Sequence, residues 1–227
     1  MKSIKTIKYK DLVESIKNET VYEIKKKRER AVFFLKDRNA FFKLWVPEWT
    51  QSKIAKHCIN VGFYDEKNAE SILALVYDET GPRGYIQHSG ETAVETGKSD
   101  KSWNKFVKLT TKAQRKEFII DLFNKSISAQ GTYTDLAPSN VIFYNKKINL
   151  IDLESFRSFD LIYENKKREY ETFELDAWWK PHETAKRDVN KYFQSYFTNC
   201  LEIDLSFDIN SYENFIKAFE VLKNEVK

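Results

Sequence analysis

Apolar residues follow two different rhythms in this chain, and the change falls near residue 90. Before it, aromatic and β-branched residues come in short runs at 21–25, 31–36, 40–45, 71–78 and 83–88, each the length of a strand. Asp37-Arg38-Asn39 leaves room only for a tight turn between the second and third runs, so those two strands must be antiparallel. Glu79-Thr80-Gly81-Pro82 joins the last two runs in the same way. Ahead of the strands, 11–17 reads as a short helix. Between the third and fourth strands, Pro47 opens a helix to Asn60, with Trp49, Ile54, Ala55, Cys58 and Ile59 as its stripe and Gly62 as its stop.

After residue 100 the period becomes helical. A short helix is expected over 102–108. A long amphipathic one follows over 112–130, with Phe118, Ile119, Leu122, Phe123 and Ile127 on one side. Strands at 141–144 and 148–152 form a second hairpin around Asn145-Lys146-Lys147. From Asp176 onward the pattern is mostly helical, notably over 185–197. The expected architecture is α+β and two-lobed: a five-stranded antiparallel lobe with one helix over residues 1–90, then a mostly helical lobe over 91–227. The polar stretch 91–100 is the expected boundary.

Composition excludes several classes. Hydrophobic residues at 41% and aromatics at 15% of 227 residues supply a globular core, which a disordered chain lacks. A net charge of +4 spread over 32% charged residues of both signs gives no nucleic-acid footprint. The densest basic run, Lys25-Lys26-Lys27-Arg28-Glu29-Arg30, reads as a solvated turn, or as a phosphate contact if the fold brings it to a site. Cys58 and Cys200 have neither zinc spacing nor a bridging framework, which points to a reducing, cytoplasmic compartment. No run approaches the roughly 20 apolar residues of a membrane span, and the lysine-rich first ten residues lack the apolar stretch of a signal peptide. No internal repeat is present.

The informative stretch is Tyr133-Thr134-Asp135-Leu136-Ala137-Pro138-Ser139-Asn140-Val141-Ile142, followed by Leu150-Ile151-Asp152-Leu153-Glu154. A long helix runs into a loop carrying a carboxylate. Five positions later a carboxamide opens a strand, and the hairpin then returns Asp152 beside that strand's start. Three oxygen donors thus converge at one end of a ribbon, a set suited to magnesium, which takes one or two side chains plus substrate phosphates. The bland alternative is a surface turn before an ordinary hairpin.

This arrangement resembles the catalytic centre of the protein-kinase-like superfamily. Asp-Leu-Ala-Pro-Ser-Asn with Leu-Ile-Asp-Leu-Glu is similar in motif to aminoglycoside phosphotransferases and lipopolysaccharide-core sugar kinases. The resemblance, over about 21–197, implies ATP and Mg2+ as cofactors. Asp135 would orient an acceptor hydroxyl and take its proton. Asn140 and Asp152 would hold the metal, with Glu154 as a second acid at the metal site. Lys43, in the apolar run Ala40-Phe41-Phe42-Lys43-Leu44-Trp45, resembles the lysine that grips the ATP phosphates, although a lysine in such a strand can also point to solvent. Gln87 and His88, with Ser89, would border the cleft and meet the adenine edge through their backbone. Asp188 resembles the helix acid that ties down the catalytic loop; a plain helix-start acid is the alternative.

The chain departs from the family pattern in three places. The connection between the first two strands, Lys-Lys-Arg-Glu, has no glycine to let backbone amides approach phosphates. No glutamate lies between Trp49 and Tyr64 to orient Lys43; Glu48 and Glu66 are the nearest. Tyr133-Thr134 replaces the usual histidine. The leading expectation is transfer of the ATP γ-phosphate to a hydroxyl of an unidentified small-molecule, sugar or protein acceptor. A pseudokinase that binds nucleotide or a partner is the alternative, and nucleotidyl transfer is a third. Trp178, Trp179 and His182 would line the acceptor pocket, or else pack in the core.

Overall fold

A computed structural model describes residues 5–26, 30–45, 50–64, 71–92, 103–171 and 182–224. Along the first part run β1 (Thr6–Lys8), α1 (Tyr9–Ser15), β2 (Val21–Lys26), β3 (Arg30–Leu35), β4 (Ala40–Trp45), α2 (Thr50–Asn60), β5 (Ile72–Asp78) and β6 (Gly81–His88). The second part holds β7 (Glu91–Thr92), α3 (Asn104–Leu109), α4 (Lys112–Ala129), β8 (Gly131–Tyr133), β9 (Val141–Tyr144) and β10 (Lys147–Leu150). It ends with β11 (Phe156–Ser158), α5 (Phe159–Glu164), α6 (His182–Tyr196) and α7 (Tyr212–Asn224). The architecture is α+β, with a sheet in the N-terminal part and mostly helix in the C-terminal part.

Local chemistry explains most of the boundaries. The β3–β4 turn closes on Asn39 in the left-handed region at φ 46°, a conformation asparagine tolerates. Lys147 pairs with Tyr144, so the β9–β10 hairpin turns on two residues, Asn145 and Lys146, both at positive φ. This is the primed geometry that matches strand twist, and it is one residue tighter than Asn145-Lys146-Lys147. A capping box starts α4: Thr111 Oγ1 accepts from the Gln114 N–H at 3.2 Å while Gln114 Oε1 accepts from the Thr111 N–H at 2.8 Å.

Among the described residues the N-terminal sheet has six strands, in the order β1-β5-β6-β4-β3-β2, where the sequence led us to expect five antiparallel ones. The additional strand, β1, runs parallel to β5, with Thr6 opposite Leu75 and Lys8 opposite Tyr77. Three residues carry too little periodicity to read as a strand, and β1 exists because the edge of β5 is there to pair with. β7 is a similar case. Read in sequence as polar loop, it pairs with β9 and makes a three-stranded sheet β10-β9-β7. The short β8–β11 pair was also invisible in sequence.

The sheet has two faces. On one, Leu35, Ala40, Phe42, Val76 and Ile86 pack under Leu12 of α1. On the other, Trp45, Ile72, Leu75 and Tyr85 join a core that continues through α2 into α4, α6 and α7. Phe123 sits at its centre, within 4.5 Å of the Phe215 ring centroid and 5.3 Å of that of Phe219. Cys58 and Cys200 are buried in this core as free thiols, and burial pushes both thiols up. No helix among the described residues is long and apolar enough to cross a membrane. The stretches 27–29, 46–49, 65–70, 93–102 and 172–181 lie outside the described residues. They contain the middle of the basic run, Pro47, Glu48, Trp49, Glu66, most of the expected boundary, and Trp178 and Trp179.

Gly84 is where the fold constrains the site through backbone alone. It faces Leu44 across the β4–β6 ladder, and a Cβ there would lie 1.9 Å from the Lys43 carbonyl oxygen. Gly84→Ala must therefore push β6 from β4 at the lysine. We expect it to cost about 3 kcal/mol in urea unfolding.

Candidate functional site

Alternation along β4 decides where Lys43 goes. Ala40 and Phe42 belong to the face under α1, so Phe41, Lys43 and Trp45 take the opposite face. Lys43 is 5% exposed there, and not on solvent. Its ammonium makes ion pairs with Asp152 Oδ1 and Glu154 Oε1, and lies 5.9 Å from the centroid of the Tyr85 ring. Burying an ammonium requires such partners, because desolvation of an unpaired charge is prohibitive.

A cleft of about 340 Å³ opens above this ion pair. Val32, Phe41, Tyr85, Gln87 and His88 line it from the sheet, and Ile142, Ile151 and Asp152 from the C-terminal part. Its walls are mainly apolar with a charged floor, the usual make-up of a small-molecule site.

Asp152 follows β10 in the left-handed region, at φ 64° and ψ 58°. For a residue other than glycine this costs on the order of 1 kcal/mol, so its surroundings must hold it. Its carbonyl accepts from the Ser155 N–H at 2.9 Å. The Tyr85 hydroxyl hydrogen-bonds its backbone, and the Tyr133 hydroxyl donates to the carbonyl of Ile151 just before it. Both phenols are pushed up by burial first of all, which keeps them neutral.

Asn140 ends the 3-10 turn Pro138–Asn140 and is 9% exposed. Its Nδ2 donates to the Asp135 carbonyl at 3.0 Å, and its own carbonyl accepts from the Ile151 N–H at 2.9 Å. The loop carrying Asp135 and the hairpin carrying Asp152 are thus stitched together through Asn140. The half-buried Asp135 carboxylate meets the Tyr192 hydroxyl of α6. Burial, and then the charge of Asp135, push that phenol up to about 12. Asp188 is buried on the same helix, one turn earlier.

Gln87 and His88 sit at the cleft, but their polar groups are largely engaged elsewhere. Gln87 Nε2 donates to Ser71 Oγ at 2.8 Å, and the Ser71 N–H donates to Asn149 Oδ1 at 3.2 Å. This buried chain ties the N-terminal sheet to β10 behind the cleft. The His88 N–H donates to the Ser71 carbonyl at 2.8 Å and the Ser89 N–H to the Asn39 carbonyl at 3.0 Å. Both amides therefore have partners within the fold. The His88 ring stacks on Tyr144 at 4.8 Å. His182 lies elsewhere, its Nδ1 2.7 Å from the Leu161 carbonyl oxygen.

Tyr85 and Tyr192 had not been singled out in sequence, and Tyr133 only as part of the Tyr133-Thr134 pair that replaces the histidine. Two of them carried a usable signal. Tyr85 shares its strand face with Gln87, and Tyr192 stands one helical turn after Asp188. No protein-family model and no curated protein matches the chain. Among solved structures it is similar to the apo form of a pseudokinase, with 16% identity and a TM-score of 0.42 over 98% of this chain and 89% of that one.

Proposed function

We propose that the cleft binds ATP with magnesium, and that the chain transfers a phosphoryl group to an acceptor hydroxyl as members of the protein-kinase-like superfamily do. The observation that carries this reading is the Lys43–Asp152 ion pair, which joins residues 109 apart in sequence at the floor of the cleft. A lysine and an acid brought together under an apolar pocket are what a phosphate–cation pair requires.

Asp152 and Asn140 are the residues that would hold the metal. Among the described residues no group of three or more His, Cys, Asp or Glu gathers into a cation cage. A carboxylate and a carboxamide fit magnesium, which completes its shell with phosphate and water. Once bound, it would neutralise charge developing on the phosphates. Lys43 would meet the phosphate oxygens directly. Asp135 would align the hydroxyl and accept its proton, and Tyr192 would keep the Asp135 carboxylate in the productive rotamer.

Tyr192→Phe should then lower kcat roughly tenfold, the scale of one lost hydrogen bond to a charged group, while the ATP Kd stays unchanged by calorimetry. A fall in ATP affinity of the same size would place Tyr192 at the nucleotide instead.

A second reading, nucleotide binding without efficient transfer, is favoured by two observations. The ammonium of Lys43 already holds two carboxylates, and the amides of His88 and Ser89 are engaged. Incubation with γ-labelled ATP and magnesium, with and without cell extract, separates the two. Label appearing on an acceptor supports the transferase, and binding without label supports the second reading. No binding removes both.

A further inference from the structure

Helix α2 has no acid to offer Lys43: Thr50–Asn60 contains neither Asp nor Glu. It packs instead against the turn Leu153–Ser155, and that turn carries Glu154. Resting on the nucleotide reading above, we propose that Glu154 is the positioning residue of Lys43, so that one short segment after β10 sets both the phosphate-gripping lysine and Asp152.

The geometry divides the two acids. The Asp152 side chain is 32% exposed and borders the cleft, whereas that of Glu154 is 7% exposed and lies behind it. The backbone around Glu154 is pinned from several sides. Arg157 Nη1 donates to the Glu154 carbonyl at 2.8 Å. The Ser155 carbonyl accepts from both the N–H and the hydroxyl of Thr134, at 2.9 Å and 2.8 Å. The Ser155 N–H closes the turn on Asp152. A carboxylate on so fixed a base orients an ammonium without help from a moving helix.

An ammonium has three donors. With one held by Glu154, Lys43 keeps its direction toward the phosphate end of the cleft whether Asp152 stays on the ammonium or turns to a cation. Lysine placement then runs through the 152–155 turn, with no acid of α2 taking part.

The test is calorimetric titration of ATP and of adenosine in EDTA, where only the lysine contributes. Glu154→Gln should lose about tenfold in ATP affinity and nothing in adenosine affinity. Lys43→Met should lose as much, and the double variant no more than either. In urea, the double variant should be no less stable than the weaker single variant, because paired residues are not additive. Three results overturn the proposal. A Glu154→Gln loss seen only with magnesium present makes Glu154 a metal ligand. Equal losses for ATP and adenosine make it structural. Additive urea midpoints show that Lys43 and Glu154 act separately. If the unsubstituted protein binds neither ligand, the nucleotide reading falls and this role falls with it. A non-additive urea cycle would then mark that failure as one of the reading, with the ion pair itself intact.

Discussion

Asp152→Ala is expected to abolish magnesium-dependent ATP binding, by more than about 100-fold in Kd, because it removes the charged ligand proposed for the cation. Alanine is also strained in the left-handed conformation that Asp152 occupies. Asp152→Asn is therefore the sharper variant, since asparagine tolerates that backbone and deletes only the charge. Both should bind adenosine as the unsubstituted protein does. In EDTA the asparagine variant should bind ATP no worse, since a negative charge facing the phosphates is gone and Lys43 keeps Glu154. Loss of adenosine binding together with ATP would show that Asp152 shapes the cleft and does not ligate a cation. Lys43→Ala should weaken ATP more than adenosine; equal losses would make the lysine structural.

Asp135→Asn is expected to leave ATP affinity within about twofold and to lower turnover by roughly 10²–10⁴-fold, the range for losing a general base. Asparagine retains an oxygen to accept from the Tyr192 hydroxyl and leaves the backbone carbonyl that Asn140 uses. Thermal unfolding should therefore stay near that of the unsubstituted protein. Asn140→Ala should behave differently. It removes a proposed metal ligand and also the stitch between the two loops, so binding, turnover and stability should all fall. Equal activity and equal stability in Asp135→Asn would show that this carboxylate is not the base.

Much of the frame was legible before the structure. β4 matches its run residue for residue, and α4 differs from its expected span by one residue, because strand alternation and helical stripes are local patterns. Turn chemistry located both hairpins that flank the cleft. The approach of the Asp135–Asn140 loop to the Asp152 end of the hairpin was also readable, since a loop and a two-residue hairpin leave their ends few places to go.

Other features needed contacts that no window of sequence contains. β1 and β7 are strands only because β5 and β9 offer them an edge. Gln87 lines the cleft as its place in the sequence suggested, but its side chain is also a buried tether through Ser71 to Asn149, 62 positions further along (149 − 87). The acid facing Lys43 was missing from the helix where the family pattern places it, and the structure finds one on the turn after β10. Sequence by itself determined the periodicities and the turns, because these depend on neighbours within a few residues. Tertiary structure alone decided which carboxylate meets the lysine and which tyrosine meets Asp135. A buried charge takes whichever partner the packed chain brings within reach, and that choice belongs to the whole fold.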